Sequence, residues 1–206
     1  MNGLVLLSGG FDSAVAAHLV QQQKAELIGL HFSQEKFVGK QSVEKARRIA
    51  RHLKLEKLVV VDVSEILKQF VENCENRYYF VFMKRLFFRI AEKIAQQEKV
   101  SFLVTGENLG QVSSQTLSNL AVVARATSLP VVRPLLGMEK TEIIALARKI
   151  GTYEISCGPE LCDFLGPSKP ATRSTVEELE REEKKIPLFD LMRDLLSRIK
   201  TVECEE

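Results

Sequence analysis

A short apolar run that leads directly into a Ser/Gly loop and then into a helical pattern is the feature that most constrains this fold. Residues 4–7 read Leu-Val-Leu-Leu, and residues 8–13 read Ser-Gly-Gly-Phe-Asp-Ser. A strand that turns into a helix through such a loop points the N–H groups of the first helical turn at a bound anion. The segment therefore predicts a phosphate-binding loop. The alternative is a Gly-rich turn whose Asp or Ser caps the helix.

Asp12 is the unusual member of this loop. A carboxylate beside a phosphate repels it unless a cation lies between the two or the carboxylate orients the loop itself. We therefore expect a nucleotide bound together with a divalent cation, Mg²⁺.

Apolar runs typical of buried strands alternate with helical patterns along most of the chain. The strand predictions are residues 4–7, 26–32, 58–63, 102–105 and 131–132, and the helical patterns lie near residues 13–23, 39–53, 65–74, 77–97, 113–126 and 140–150. This order predicts an α/β fold with a Rossmann-like, doubly wound, mostly parallel sheet of about five strands and helices on both faces. Ligands in such folds bind at the carboxyl ends of the strands, where the phosphate loop begins.

The 206 residues, of which 45% are hydrophobic, predict a single domain with one sizeable core. Residues 1–173 carry the β/α pattern, and residues 174–206 are predicted to be a C-terminal helical extension packed on the same domain. Ser174 and Glu177 have the spacing of a helix capping box at the start of this extension. A Gly/Pro-rich loop separates the two parts.

The net charge of +2 excludes a strongly basic nucleic-acid-binding surface over the whole protein. Local patches, Lys45/Arg47/Arg48/Arg51 and Lys84/Arg85/Arg89, are candidates for such contacts or are solvated helix faces. The sequence has neither a membrane-spanning apolar run nor a secretion-signal pattern, so we expect a cytosolic protein that binds no membrane. The cysteines, Cys74, Cys157, Cys162 and Cys204, lack zinc-site spacing and are interpreted as thiols, so no metal-ligating residues are predicted.

A second polar segment, residues 105–116, begins where the fourth predicted strand ends and reads Thr-Gly-Glu-Asn-Leu-Gly-Gln-Val-Ser-Ser-Gln-Thr. Its amides and hydroxyls predict a ligand-binding rim, and the alternative is a well-capped connection between two elements.

These motifs together resemble a known family. The Ser-Gly-Gly-x-Asp-Ser loop resembles the PP-loop of the ATP pyrophosphatases, which split ATP between the α and β phosphates. With residues 105–116, 133–143 and 147–153, the chain from Leu4 to about Arg173 resembles the catalytic domain of the tRNA 4-thiouridine synthases, the ThiI family. The resemblance implies an adenine nucleotide alpha hydrolase-like fold, a link to thiamine biosynthesis, and an ATP-dependent sulfurtransferase. Such an enzyme adenylates the C4 oxygen of a tRNA uridine, and sulfur from an enzyme persulfide then replaces AMP.

The resemblance also implies site residues. ATP contacts would fall on Leu6, Leu7, Ser8, Gly9, Gly10, Asp12, Ser13, His31, Phe32, Gly106 and Gln115, with a basic contact from Lys84 or Arg85. The implied catalytic residues are Asp12, Lys140, which would offset charge on the phosphate or adenylate, and Cys162, which would carry the persulfide.

Several of these residues have structural alternatives. The alternative for His31 is a packed histidine, and the alternative for Lys84 and Arg85 is a solvated helix face. The alternative for Lys140 is a first-turn helix residue, and that for Cys162 is a small buried apolar residue. Lys169 or Arg173 would favour the Cys162 thiolate, and Cys157 either resolves the persulfide by forming a disulfide with Cys162 or has no role. The cysteine spacing gives no direct support for an iron–sulfur cluster.

The match begins at the first strand of the family's catalytic domain. We therefore expect the N-terminal ferredoxin-like and THUMP region to be missing and a separate tRNA-binding protein to present the tRNA. The expected persulfide donor is a protein such as a cysteine desulfurase, and the long amphipathic helices allow a homodimer. Two other functions stay open, a PP-loop amidating or ligating enzyme in which Cys162 is structural, and a non-catalytic nucleotide-binding subunit.

Overall fold

The computed structural model describes residues 1–157 and 165–204. Its strands are β1 (Asn2–Leu6), β2 (Glu26–Ser33), β3 (Lys57–Asp62), β4 (Phe102–Val104), β5 (Val131–Val132) and β6 (Lys200–Glu203). Its helices are α1 (Phe11–Gln21), α2 (Glu35–Val38), α3 (Gln41–His52), α4 (Ser64–Asn73), α5 (Tyr79–Glu98), α6 (Leu117–Ala124), α7 (Lys140–Lys149), α8 (Tyr153–Ser156), α9 (Val176–Glu183) and α10 (Leu188–Leu196). Single 3₁₀ turns lie at Asn76–Tyr78 and Ser113–Gln115.

The described strands form one sheet in the order β5-β4-β1-β2-β3-β6. The first five pair in parallel, and β6 pairs antiparallel with β3. The chain winds outward from β1 in one direction through β2 and β3, and in the other direction through β4 and β5. This confirms the doubly wound, mostly parallel α/β fold and places the topological switch point between β1 and β4.

The central parts of β1, β2, β3 and β4 are mainly apolar because helices cover both faces of the sheet. Leu4, Leu30 and Leu103 pack with α4, α5, α6 and α9 on one face, whereas the neighbouring strand positions pack with α1, α3 and α7 on the other. The two helix layers cover the faces of the sheet, and the loops that follow β1 and β4 lie together at its carboxyl edge.

The sequence did not predict strand β6. Its four residues, Lys-Thr-Val-Glu, lack an apolar alternation, and their strand conformation depends on pairing with the open edge of β3, as in the register Val59↔Thr201. Two helix starts also differ from the predictions. Helix α1 begins at Phe11, two residues earlier than expected, and the pattern from residue 113 divides into a 3₁₀ turn and α6, whose N-cap Thr116 accepts a hydrogen bond from Asn119 N.

The C-terminal part packs on the same face of the sheet as α5. Arg85, buried in α5, donates from Nε to Oε1 of Glu183 at 2.7 Å and from Nη2 to Oε2 at 3.2 Å, and Arg89 Nη2 donates to the same Oε2 at 2.7 Å. Burial raises the pKa of Glu183, but the two guanidinium groups outweigh it and hold that pKa below its usual range. The capping box of α9 uses Thr175 and Glu178, one residue later than the sequence pattern indicated. No helix in the described part of the chain is long and apolar enough to cross a membrane.

Candidate active site

A cavity of about 430 Å³ lies at the carboxyl ends of β1, β2 and β4. One part of its wall is apolar, and the other is formed by the phosphate loop (residues 8–13) and the segment after β4. The lining residues are Leu6, Leu7, Ser8, Gly10, Asp12, Ser13, Leu30, Phe32, Gln34, Phe80, Met83, Lys84, Phe87, Phe88, Thr105, Gly106, Glu107, Gln111, Val112, Ser113, Ser114 and Gln115. Most of the predicted contact residues are thus brought together in one cavity.

The phosphate loop is held by its own serines. The Ser13 hydroxyl accepts a hydrogen bond from Ser8 N at 3.2 Å and donates to the Gly10 carbonyl at 3.1 Å, while the Ser8 hydroxyl accepts from Gly10 N at 3.2 Å. Gly9 has a φ of +91°, which favours glycine, and the side where a Cβ would lie faces Lys45 and not the cavity. Gly10 caps α1 without a side chain, so the start of this helix is open to a bound anion.

Asp12 and Lys140 form an ion pair beside this loop. Lys140 Nζ lies 2.8 Å from Asp12 Oδ1 and 3.0 Å from Oδ2, and Gln111 Nε2 donates to Oδ2 at 3.2 Å. Lys140 opens α7 and also lies over the Phe11 ring at 5.8 Å. The two residues that the resemblance implied as catalytic, from opposite ends of the β/α pattern, are therefore in direct contact.

Gly106 lies where β4 approaches the start of α1. A Cβ at this position would come within 2.6 Å of the Asp12 carbonyl carbon and of the Ser13 nitrogen. Since backbone atoms cannot yield to such a contact, only glycine fits. Because of this close approach, the phosphate loop and the segment after β4 form one continuous wall. Within that segment, Gln115 Oε1 accepts a hydrogen bond from Asn108 N at 3.3 Å.

Next to Gly106, Glu107 forms the centre of a charged cluster that the sequence analysis did not single out. Its buried carboxylate accepts hydrogen bonds from Lys84 Nζ at 3.0 Å, Arg133 Nε at 2.8 Å and Thr105 Oγ1 at 3.2 Å. Burial raises the pKa of Glu107, but Lys84 and Arg133 outweigh it and lower that pKa, so the carboxylate is ionised. The sequence signal that could have identified Glu107 was its position as an acidic residue shortly after β4, a strand that ends at the switch point.

The apolar part of the wall comes mainly from α5, another contribution that the sequence analysis missed. Phe80, Met83, Lys84, Phe87 and Phe88 share one helix face at spacings of three and four residues. Phe87 stacks on Phe32, at the end of β2, with ring centroids 4.0 Å apart and planes 4° from parallel. This helical periodicity was visible in the sequence, but the cavity on that face was not.

Three predicted contact residues, Gly9, His31 and Arg85, lie outside the cavity lining. His31 is buried, with Nδ1 at 2.7 Å from the Leu7 carbonyl oxygen and Nε2 at 3.3 Å from Ser42 Oγ, so it holds the chain just before the phosphate loop. Burial lowers its pKa despite the opposing effect of the hydrogen bond that the Leu7 carbonyl accepts. Of the two basic alternatives, Lys84 lines the cavity, whereas Arg85 is engaged by Glu183.

Cys162 lies outside the described residues, so its role stays a prediction. The described flanks of its segment lie near the site, one beside Lys45, a neighbour of Gly9 in the phosphate loop, and one against Phe80 of the cavity wall. Ser156 O accepts a hydrogen bond from Lys45 Nζ at 3.2 Å, and a Cβ on Gly166 would lie 2.3 Å from the Phe80 ring. Cys157 is exposed, whereas burial, reinforced by Glu182, raises the pKa of Cys74 to about 11. Lys169 and Arg173 are exposed, and residues 1–157 and 165–204 contain no cluster of three His, Cys, Asp or Glu side chains that would hold a metal ion.

Known proteins share this architecture. The sequence model of the family described as "Thiamine biosynthesis protein (ThiI)" matches residues 1–188. A Moorella thermoacetica protein named "Probable tRNA sulfurtransferase" is 38% identical over 209 residues, which cover 98% of this chain and 54% of that protein. A Caldanaerobacter subterraneus protein of the same name is 42% identical over 187 residues, covering 87% of this chain and 49% of that protein. The chain spans about half the length of these curated relatives.

A solved structure described as "Crystal structure of a 4-thiouridine synthetase - RNA complex with bound ATP" has a TM-score of 0.94 to this chain at 37% identity. The match covers 99% of this chain and 55% of that one. An NMN synthetase from Francisella tularensis, at 15% identity and a TM-score of 0.61, shares the fold alone. The family match includes every residue of the cavity and of the Asp12–Lys140 pair, and this chain therefore belongs to the ThiI family.

Proposed function

We propose that this chain is the ATP-cleaving domain of a tRNA sulfurtransferase, which adenylates a tRNA uridine at its C4 oxygen and replaces that oxygen with sulfur. The observation that carries the proposal is one cavity in which an apolar wall meets the phosphate loop, as a nucleotide requires. The similar 4-thiouridine synthetase, of comparable fold across nearly the whole chain, is described as bound to ATP and RNA.

The adenine would lie against the end of β2. Leu7 N donates to the Leu30 carbonyl at 2.7 Å, so the backbone groups of Leu30 point toward β1. Phe32, two residues further on, points its N–H and C=O to the same side, where β1 has already ended at Leu6. These groups match the edge of adenine, because N1 accepts a hydrogen bond and the N6 amino group donates one. We expect ATP to bind better than GTP, whose base has the opposite donor–acceptor pattern.

The triphosphate would extend along the phosphate loop toward Asp12. Lys84 and Lys140 supply positive charge on two sides, and the start of α1 supplies N–H donors. Asp12, whose side chain is 25% exposed, fits Mg²⁺, which in nucleotide sites takes one or two carboxylates together with phosphate oxygens. When bound there, Mg²⁺ would neutralise charge on the leaving pyrophosphate.

The first chemical step would join the C4 oxygen of uridine to the α-phosphorus of ATP, while the bond to pyrophosphate breaks and the N3 proton of the base passes to water, to be regained when 4-thiouridine is released. Lys140 would shift from Asp12 toward the phosphate and stabilise the charge that develops there.

In the second step, the terminal sulfur of a persulfide on Cys162 attacks C4 and AMP leaves. A second thiol then attacks the Cys162 sulfur and releases 4-thiouridine with formation of a disulfide. The exposed Cys157 is the proposed second thiol. A thiol reductant would then reduce the disulfide by thiol–disulfide exchange, and a cysteine desulfurase type of protein would reload the persulfide.

The test is to incubate the purified protein with ATP, Mg²⁺, tRNA and a persulfide donor, and to measure pyrophosphate and 4-thiouridine. Cys162→Ser should keep pyrophosphate release and lose 4-thiouridine, whereas Cys74→Ser, the matched control, should keep both. Full 4-thiouridine formation by Cys162→Ser would overturn the role of Cys162, whereas pyrophosphate release without 4-thiouridine by the unmodified protein would favour the amidating or ligating reaction. ATP binding without pyrophosphate release by the unmodified protein would indicate a nucleotide-binding subunit.

A further inference from the structure

Glu107 places a negative charge on the wall of a cavity that we propose to hold a polyanion. Its side chain is 4% exposed, it lines the cavity, and it is ionised. A carboxylate in this position repels a phosphate unless cationic side chains of the protein pair with it. The contacts of Glu107 with neighbouring cations indicate its role.

The carboxylate lies between cations from two different elements. Lys84, in α5, contacts Oε1, and Arg133, directly after β5, contacts Oε2. Arg133 also lies 5.9 Å from the Phe88 ring, which lines the cavity. The cluster of one carboxylate and two cations carries a net charge of +1, so the cavity wall stays attractive to phosphate despite Glu107.

Of the two cations, Lys84 is the one that lines the cavity. A lysine has three N–H donors on a flexible four-carbon chain, and fixing that chain upon ligand binding costs conformational entropy. Glu107 accepts one of these donors and leaves two for a ligand. The adjacent residue, Gly106, touches the start of α1, and Lys84 and the phosphate loop line the same cavity.

We infer that Glu107 is a positioning residue, which fixes the Lys84 ammonium on the cavity wall so that it meets the nucleotide phosphate without further ordering. This inference rests on the proposed function, since it takes ATP to be the ligand. The role requires both the charge and the length of the glutamate side chain. Lys84 makes the contact with the nucleotide, and Glu107 acts through it.

The direction in which Glu107→Gln changes the Kd for ATP distinguishes positioning from simple charge repulsion. Glu107→Gln raises the charge of the cluster from +1 to +2, so repulsion alone predicts tighter ATP binding. Positioning predicts the opposite, a rise of about tenfold or more in the Kd for ATP, because Lys84 is released from its acceptor. The measurement is isothermal titration of ATP into the unmodified protein and each variant, with the melting temperature recorded for each.

A double-mutant cycle with Lys84→Met then tests whether Glu107 acts through Lys84. Each single variant should weaken ATP binding, and the double variant should bind within about threefold of Lys84→Met alone. Glu98→Gln is the matched control, because it breaks another Lys–Glu pair of α5, Lys57–Glu98 at 2.6 Å, whose residues do not line the cavity. It should bind ATP as the unmodified protein does.

Tighter binding by Glu107→Gln, additive effects in the cycle, or affinity equal to that of Glu98→Gln would each overturn the inference. If Glu107→Gln does not fold, Glu107→Asp keeps the charge but shortens the reach, and it should weaken ATP binding while keeping the fold. Unchanged affinity in Glu107→Asp would then contradict positioning. An unmodified protein that binds no ATP overturns the proposed function and this inference together, whereas ATP binding that is insensitive to Glu107 overturns the inference alone.

Discussion

Lys140 Nζ contacts both carboxylate oxygens of Asp12, at 2.8 and 3.0 Å, although 128 positions separate the two residues. The pair joins the first turn of α1 to the first turn of α7 beside the phosphate loop. Its partly exposed position gives it little weight in stability, since such pairs contribute about 0–1 kcal/mol. We propose that the pair, at its place beside the phosphate loop, acts in binding or catalysis.

The Asp12→Ala variant should lower pyrophosphate release from ATP at least about tenfold, which corresponds to about 1.4 kcal/mol in the barrier. The carboxylate orients Lys140, and we propose that it also takes part in binding Mg²⁺. The rate is measured at saturating ATP and Mg²⁺. Asp190→Ala is the control, because Asp190 is also a first-turn aspartate paired with a basic residue, but it lies in α10. Equal rates in the two variants would show that Asp12 serves only as a helix-terminal residue.

Gly106→Ala should abolish ATP binding and destabilise the fold by about 1–3 kcal/mol, because the new methyl group meets backbone at 2.6 Å and forces β4 away from α1. ATP titration and urea unfolding measure the two effects. Gly39→Ala provides the comparison, since a Cβ there meets nothing within 4 Å, although its φ of +72° adds strain. That variant should lose some stability and keep ATP affinity. Normal ATP binding by Gly106→Ala would contradict the role assigned to this close approach.

The part of the site that is local in sequence was predictable from the sequence. The apolar run, the serines and the glycines of the phosphate loop lie within ten residues, and hydrogen bonds between Ser8, Gly10 and Ser13 hold the loop. The doubly wound, mostly parallel sheet followed from the β/α alternation, because parallel strands are joined by helical crossovers that cover both faces. Asp12 was singled out as a carboxylate within the phosphate loop, whereas Lys140 was singled out only through the family resemblance.

Contacts made by tertiary packing were not predictable. Glu107, Lys84 and Arg133 come from three separate elements, and no spacing in the sequence links them. His31 and Arg85 were predicted as nucleotide contacts, yet the structure places them against Leu7 and Glu183, since residue type alone does not show which face of an element a side chain occupies. Strand β6 depends on an edge that only the assembled sheet provides.

The stacked pair Phe32 and Phe87 forms part of the apolar wall, so Phe87→Leu should weaken ATP binding about three- to tenfold. Leucine keeps an apolar side chain but removes a ring that would stack with the adenine, and an aromatic pair contributes about 0.5–1.5 kcal/mol beyond its buried area. The Kd for ATP is measured by titration. Phe189→Leu, at a phenylalanine that is 78% exposed, should change nothing. Equal affinity in both variants would place the adenine elsewhere in the cavity.

The buried pair of Arg85 and Glu183 should make stability depend on pH in the acid range. Burial opposes ionisation of Glu183, but the arginines prevail and lower its folded-state pKa, whereas an unfolded glutamate has a pKa of about 4.3. A lowered folded-state pKa contributes stability that is present above the unfolded value and is lost as the pH falls through the folded value. We expect the free energy of unfolding to fall with pH below about 4 for this reason.

Glu183→Gln should isolate that contribution. At pH 7 the variant should be destabilised by about 3–5 kcal/mol, because Arg85 is left buried without its charged partner. Its free energy of unfolding should also vary less between pH 5 and pH 3 than that of the unmodified protein, since the titrating carboxylate is gone. Urea unfolding at several pH values measures both effects. Glu44→Gln, which removes an exposed carboxylate paired with Arg47, should leave the pH profile unchanged. An acid dependence that persists in full in Glu183→Gln would mean that other carboxylates, with Glu107 the foremost candidate, control acid unfolding.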